Sequence, residues 1–290
     1  MTLVARIAGF AAVLALVFGA AAFAGSRIDA RPGEGRAPAA EPGMGATAAE
    51  GGHGEDGGRA EPQAVRGLAV SEGGLTLELA RTTARPGERF PLAFRIADRR
   101  GRTVRAFDVE HTKRMHLIGV RRDMSGFQHL HPVQAADGTW SVPVTLRDPG
   151  AYRLFADFST GGRPRTLAAD VMVDGALRSQ PLPARAPVAE TDGLRIRLDH
   201  ATPRAGTEAD LRFSVTTRDG RPVAVQPYLG ARGHLVALRE GDLAFLHVHP
   251  DADRLRFMAE FPTAGRYRLF LQFKTGGRIH TAAFTQEVSR

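Results

Sequence analysis

The chain has 290 residues, no cysteine and a formal net charge of +8, with 37 Arg and 2 Lys against 31 acidic groups. Without cysteine, disulfides, cysteine-ligated zinc, iron–sulfur clusters and thiol catalysis are excluded, and a metal site must draw on His, Met, carboxylate or backbone oxygen. The cations are spread out, with no basic helix and no aromatic-basic patch, so no nucleic-acid partner is expected.

The N-terminus points to export. Arg6 precedes an uncharged run from Ile7 to Ala24, and Ala22-Phe23-Ala24 before Gly25 reads as a small-residue cleavage site. Residues 1–24 read as a signal peptide or as an uncleaved membrane anchor. Either places the rest of the chain outside the cytoplasm, secreted or held on the outer face of the membrane, with membrane contact confined to residues 7–24. Residues 25–65 are Gly, Ala, Pro, Glu and Arg with almost no large apolar side chain, the composition of a disordered linker. His53, in GGHGEDGG, reads as a solvated linker histidine.

Two repeats follow, at 66–174 and 188–290, joined by a Pro-rich linker over 175–187. Their landmarks recur in order: ARPGE with PRAGT, DRRGRTV with TRDGRPV, MHLIGVRR with GHLVALRE, FQHLHP with FLHVHP, and PGAYRLFADFSTGGR with AGRYRLFLQFKTGGR. Each repeat is a series of short apolar-polar alternations with turn signals every 8–12 residues, and no 3.6-residue period is sustained. This predicts an all-β chain of two tandem immunoglobulin-like Greek-key β-sandwiches, after an N-terminal hydrophobic helix and linker. Tyr152 and Tyr267 follow a Gly at a late strand start, where a tyrosine corner bonds back to upstream backbone. Gly161-Gly162 and Gly276-Gly277 lie between strands and read as hairpin turns, not phosphate cradles.

The pattern His-x12-His-x-His-Pro occurs twice. It comprises His116, His129, His131 and Pro132, then His234, His247, His249 and Pro250, and it takes six of the ten histidines. Each triplet spans a predicted hairpin. In repeat two, Gly241-Asp242 serves as a two-residue turn, pairing Leu238 with Phe245, Val236 with His247 and His234 with His249. Paired residues share a face, so His234, Val236, Leu238, Phe245, His247 and His249 lie together. His116, Ile118, Val120, Phe127, His129 and His131 do the same if the loop over Asp123–Gly126 has four residues. That face is apolar near the turn and histidine-rich at the open end. Three imidazoles converging from a rigid hairpin suit copper or zinc. Water, Glu110, Met115 or Met124 could fill the fourth position. Affinity should fall as the rings protonate below about pH 6.5.

The rival reading makes the triplets internal hydrogen-bond networks of a structural or cell-surface interaction module. His111 has no counterpart in repeat two and His280 stands where repeat one has Arg165; each could extend a site if loops bring it to the same rim, but neither is expected to be a ligand on its own, and His200 sits at a strand end. Enzyme signals are poor: no Gly-x-Ser-x-Gly elbow, HExxH or P-loop occurs, and no duplicated acid or base accompanies the triplets. No catalytic residue is expected, and a three-histidine metallohydrolase ranks last.

The segments KRMHLIGVRRDMSGFQHLHP, PYLGARGHLVALREGDLAFLHVHP and YRLFLQFKTGGRIHTAAFT resemble exported or membrane-anchored bacterial proteins described as secreted or heavy-metal-binding. More distantly, each repeat resembles a YtkA-like domain and, through it, the immunoglobulin-like copper-resistance periplasmic carriers. The resemblance implies fold and location, and the distant link implies copper. Those carriers bind metal through an N-terminal histidine, whereas Gly25 begins the expected mature chain, so any site here falls on the hairpin triplets. The expectation is a non-catalytic carrier of copper or zinc, each repeat holding one ion, with a cell-surface protein as the alternative partner.

Overall fold

The computed structural model describes residues 65–199, 202–246 and 248–290. The apolar run Ile7–Ala24, the linker as far as residue 64 with its His53, and also His200 and His247 lie outside the described residues. Every regular element among those described is a strand.

Repeat one contains β1 (Ser71–Glu72), β2 (Leu75–Leu79), β3 (Thr83–Ala84), β4 (Arg89–Asp98), β5 (His116–Arg121), β6 (Gln128–Leu130), β7 (Val133–Gln134), β8 (Trp140–Thr145), β9 (Gly150–Thr160) and β10 (Arg163–Val173). One sheet runs β1-β2-β4-β8-β7 and the other β3-β10-β9-β5-β6. Repeat two contains β11 (Val188–Thr191), β12 (Leu194–Asp199), β13 (Glu208–Thr217), β14 (Gly233–Arg239), β15 (Phe245–Leu246), β16 (His249–Pro250), β17 (Arg256–Glu260), β18 (Gly265–Thr275) and β19 (Arg278–Val288). Its sheets are β11-β12-β13-β17-β16 and β15-β14-β18-β19. Both orders are immunoglobulin orders, ABED facing GFCC′. The short parallel pairing of β3 on β10 has its counterpart in a parallel bridge from Arg204 to Ser289.

The alternation that predicted strands is what fills each sandwich. Along β4, Phe90, Leu92, Phe94 and Ile96 point inward and pack with Trp140, Leu154 and Leu167. The tyrosine corners form as expected: the Tyr152 hydroxyl accepts from the Asp148 amide at 3.3 Å, and the Tyr267 hydroxyl donates to the Thr263 carbonyl at 2.9 Å. Both rings are fully buried. The Gly pairs close two-residue hairpins, β9–β10 and β18–β19, with positive φ at all four glycines.

Strand β5 departs from alternation, because all six of its residues are buried. Leu117 enters the sandwich core. Ile118 and Val120 point the other way, into a second cluster with Phe155, Val236, Leu238, Phe245 and Phe270. The two GFCC′ sheets therefore pack outer face to outer face, with Phe127 stacked on Phe270 at 4.1 Å. The face that carries the histidines and the apolar residues near each turn forms the seam between repeats. Two other pieces stitch it. The segment entering repeat one bonds both halves, through the Arg66 carbonyl to the Phe245 amide and the Gly67 amide to the Thr166 carbonyl. The inter-repeat linker is held by the Arg121–Asp123 ion pair, which is buried and bonds the Arg178 carbonyl and the Gln180 amide.

The repeat-two register matches the expected one, with Leu238 opposite Phe245, whereas in repeat one Ile118 stands opposite His129, two residues from where a loop over Asp123–Gly126 would place it, with the same faces. The turn in repeat two differs. A four-residue loop, Glu240–Leu243, replaces the two-residue turn, and the Arg239 amide donates to the Ala244 carbonyl. Asp242 stabilises the wider loop by accepting from the Arg239 guanidinium and the Ala244 amide, both at 3.0 Å. Two and four residues have the same parity, so the faces are unchanged. The expected pairing of His234 with His249 is not made. β15 stops at Leu246, and the backbone of His249 pairs with Met258 in the other sheet. Pro250 has no amide to extend a ladder, which suits this short edge strand.

Candidate metal centre at the seam between repeats

His116 opens β5, His129 sits in the middle of β6, and His131 follows two residues on. The period of two puts all three rings on the outer face of the sheet. There they converge: one ligand nitrogen from each of His116, His129 and His131 lies within 4.8 Å of the others. His116 is buried, while His129 and His131 are half-buried.

With the Gln272 amide oxygen facing His129, the hydrogen bonds set which nitrogens can accept a cation. His116 Nε2 lies 3.2 Å from the Glu110 carbonyl, and His129 Nδ1 lies 2.8 Å from Gln272 Oε1. Both partners are oxygens that only accept, so these two nitrogens carry the ring protons. The remaining nitrogens, His116 Nδ1 and His129 Nε2, then face each other with lone pairs 3.0 Å apart. Two acceptors at that distance repel unless something positive lies between or beside them. Imidazole nitrogens sharing one tetrahedral ion stand about 3.3 Å apart, given metal–nitrogen bonds of about 2.0 Å. His131 Nε2 is buried with no hydrogen-bond partner. An acceptor pair, an orphaned third nitrogen and outer hydrogen bonds that set the tautomers together fit a divalent cation.

A proton is a poor occupant at neutral pH. Burial lowers His116 to about 4, His129 to about 3 and His131 to about 4, with neighbouring rings adding to the effect at His116 and His129 and Lys113 adding to it at His131. The expected loss of affinity below pH 6.5 is therefore displaced to more acid conditions.

Repeat two contributes two groups. Gln272, on β18, supplies the oxygen that orients His129. His234, the first residue of the second triplet, lies against the first triplet: its ring centroid is 5.2 Å from His116 and 5.0 Å from His129. Its Nε2 is buried without a partner, and burial holds the ring down to about 2. A cavity of about 20 Å3 lies beside these rings, lined by His111, His116, Asp157 and His234 among others, enough for one water or ion. Burial raises the Asp157 carboxyl to about 6.

The other fourth-ligand expectations are corrected. Met115 points into the sandwich core, and Met124 packs in the apolar part of the seam. Glu110 offers its backbone carbonyl to the site. His111 joins the cluster, 5.0 Å from His234 between centroids. His280 is elsewhere, stacked on Phe273 with its Nδ1 2.7 Å from Asp192. Of the second triplet, only His234 is placed at the site among described side chains. Sequence reasoning missed Gln272 and Asp157. The available signal was a polar residue inside an apolar strand, opposite the first histidine of each triplet: Asp157 pairs His116 and Gln272 pairs His234.

No curated protein matches the chain. Among solved structures it is similar to FdeC, an Escherichia coli adhesin, at 13% identity over 77% of this chain and 66% of that one, TM-score 0.26. It is also similar to Yersinia pseudotuberculosis InvD, at 11% over 76% and 59%, TM-score 0.27. Escherichia coli alpha-2-macroglobulin aligns at 16% over 74% and 20%, TM-score 0.27. The chain thus spans about two-thirds or less of each, and superpositions this loose add nothing to the strand order. The sequence itself is more informative: with one match over 69–175 and another over 189–290, the chain belongs to the family described as "Domain of unknown function (DUF8832)" and carries it twice.

Proposed function

We propose that this is a non-catalytic, extracytoplasmic metal-binding protein that buffers or delivers a borderline divalent ion, copper or zinc, at His116, His129 and His131. The observation that carries the reading is the pair of facing nitrogens, His116 Nδ1 and His129 Nε2, 3.0 Å apart and each backed by an accepting oxygen on the far side of its ring. Imidazole donors without thiolate favour Zn2+ or Cu2+. A resident ion would supply charge that holds these nitrogens together, while the chain's own residues orient them. The likeness of each repeat to YtkA-like domains and copper-resistance carriers points the same way, and the apolar run Ile7–Ala24 supports export.

The test is metal content after loading the full chain with Zn2+ or Cu2+ and exhaustive dialysis, beside a variant with His129→Ala and His131→Ala. Retention by the parent alone supports the reading. No retention by either overturns it.

A second reading, a structural or cell-surface protein-binding module, is favoured by one observation. Turning the Gln272 amide about its axis would let its nitrogen donate to His129 Nδ1, His129 Nε2 to His116 Nδ1, and His116 Nε2 to Glu110, a complete chain without metal. In that case the double variant takes up no less metal than the parent but loses about 2–3 kcal/mol of metal-free stability.

A further inference from the structure

Resting on the metal reading above, we propose that a single ion is held by both repeats together: His234 of repeat two closes the coordination begun by His116, His129 and His131, and binding locks the two sandwiches against each other.

Four observations carry this. His234 Nε2 and His131 Nε2 are both buried and both lack partners, and both rings lie against the His116–His129 pair. A buried polar atom without a partner is costly, so two around one acceptor pair point to a missing common ligand. The His234 ring lies as close to His116 and His129 as the triad rings lie to each other, with centroids at 5.2 and 5.0 Å against 5.2, 5.1 and 4.8 Å within the triad. A cavity of about 20 Å3, enough for one ion, is lined by both His116 and His234. Finally, repeat two already reaches the triad through Gln272, so ligand and outer support both cross the seam.

This replaces one ion per repeat with one ion per chain. Four imidazoles saturate a tetrahedral ion and leave no position for a reacting water, which suits storage or locking and not hydrolysis. Since the ion bridges β5 and β6 of one repeat to β14 of the other, binding free energy becomes docking free energy between the sandwiches.

The experiment uses the full chain with Co2+ as probe. Imidazole ligands are counted by X-ray absorption, affinity is measured by titration, and amide exchange is followed across β14 with and without Co2+. Parent, His234→Ala and His234→Gln are compared, the last keeping bulk and polarity at the seam. The parent is expected to take one Co2+ with four imidazoles and to slow β14 exchange at least tenfold. Both variants are expected to show three imidazoles, affinity lower by at least about 10-fold, the lower bound for disturbing even an outer-shell partner, and no slowing in β14. Three imidazoles in the parent, two ions per chain, or equal affinity and protection in the variants would overturn the lock and leave the triad reading standing. No uptake by the parent would overturn both.

Discussion

Acidifying the metal-free protein from pH 7 to pH 5 should weaken it by about 3 kcal/mol. His116, His129, His131 and His234 stay neutral in the folded chain, lowered to about 4, 3, 4 and 2, and return to about 6.5 on unfolding. The unfolded chain then binds protons that the folded chain refuses, so stability is full above pH 6.5 and is lost as pH falls toward those lower values. Over this interval each ring costs about 2 kcal/mol. Asp157 acts in the opposite direction. Its carboxyl is raised to about 6, so the folded chain takes a proton first and recovers about 1 kcal/mol. His129, His131 and His234 are only half-buried, and solvent at their edges reduces their joint share to about 2 kcal/mol, so the net is about 3 kcal/mol. Urea unfolding at pH 7, 6 and 5 should show midpoints falling by about 1–2 M in total. The same series on a His116→Gln, His129→Gln, His131→Gln, His234→Gln variant should be nearly flat. A parent profile as flat as the variant's would refute the claim that these rings are held uncharged in the seam.

Gln272→Leu removes the oxygen that orients His129 without touching a ligand, and should lower zinc affinity by about 10–100-fold in a competition titration. Gln272→Glu, which keeps an acceptor, should retain it. Gly67 has φ +70, and an added Cβ would stand 2.7 Å from Phe155 and 2.9 Å from Phe245. Gly67→Ala should therefore destabilise by about 1–3 kcal/mol in thermal unfolding, and unchanged stability would mean the entering segment is not held in the seam. Phe270→Ala opens the stack with Phe127 and should cost about 3 kcal/mol, with faster amide exchange in β5 and β14 as the accompanying sign.

Strand class, tyrosine corners and hairpin parity are legible in the sequence because each depends on neighbours in the chain. Alternation in FPLAFRIAD marks β4, Gly before Tyr marks the corner, and an even loop length fixes which face His129 shares. The seam is a contact between distant segments, and local patterning does not say whether the two repeats pack together. Even so, MHLIGV and GHLVAL carried a sign of it. They have apolar side chains on both faces, which is the mark of a strand buried on both sides. The site was half legible for the same reason. The spacing within one triplet brings His116, His129 and His131 together, whereas His234 and Gln272 reach them only because two sheets meet. The crossing of His249 to the other sheet depends on where β15 stops, which no local pattern announces.

Asp157 and Gln272 stand at the same position in the two repeats, each opposite the first histidine of its triplet. Were the repeats identical and docked through this face, a two-fold axis would run between His116 and His234, and every group on one side would recur on the other. A homodimer of single repeats is bound by that rule: any carboxylate placed near the axis appears twice, facing its own image. Fusing two copies in one chain lifts it. One side can keep an ionisable acid while the other keeps a neutral amide, so the pocket acquires a front and a back, and its charge can be set one unit at a time.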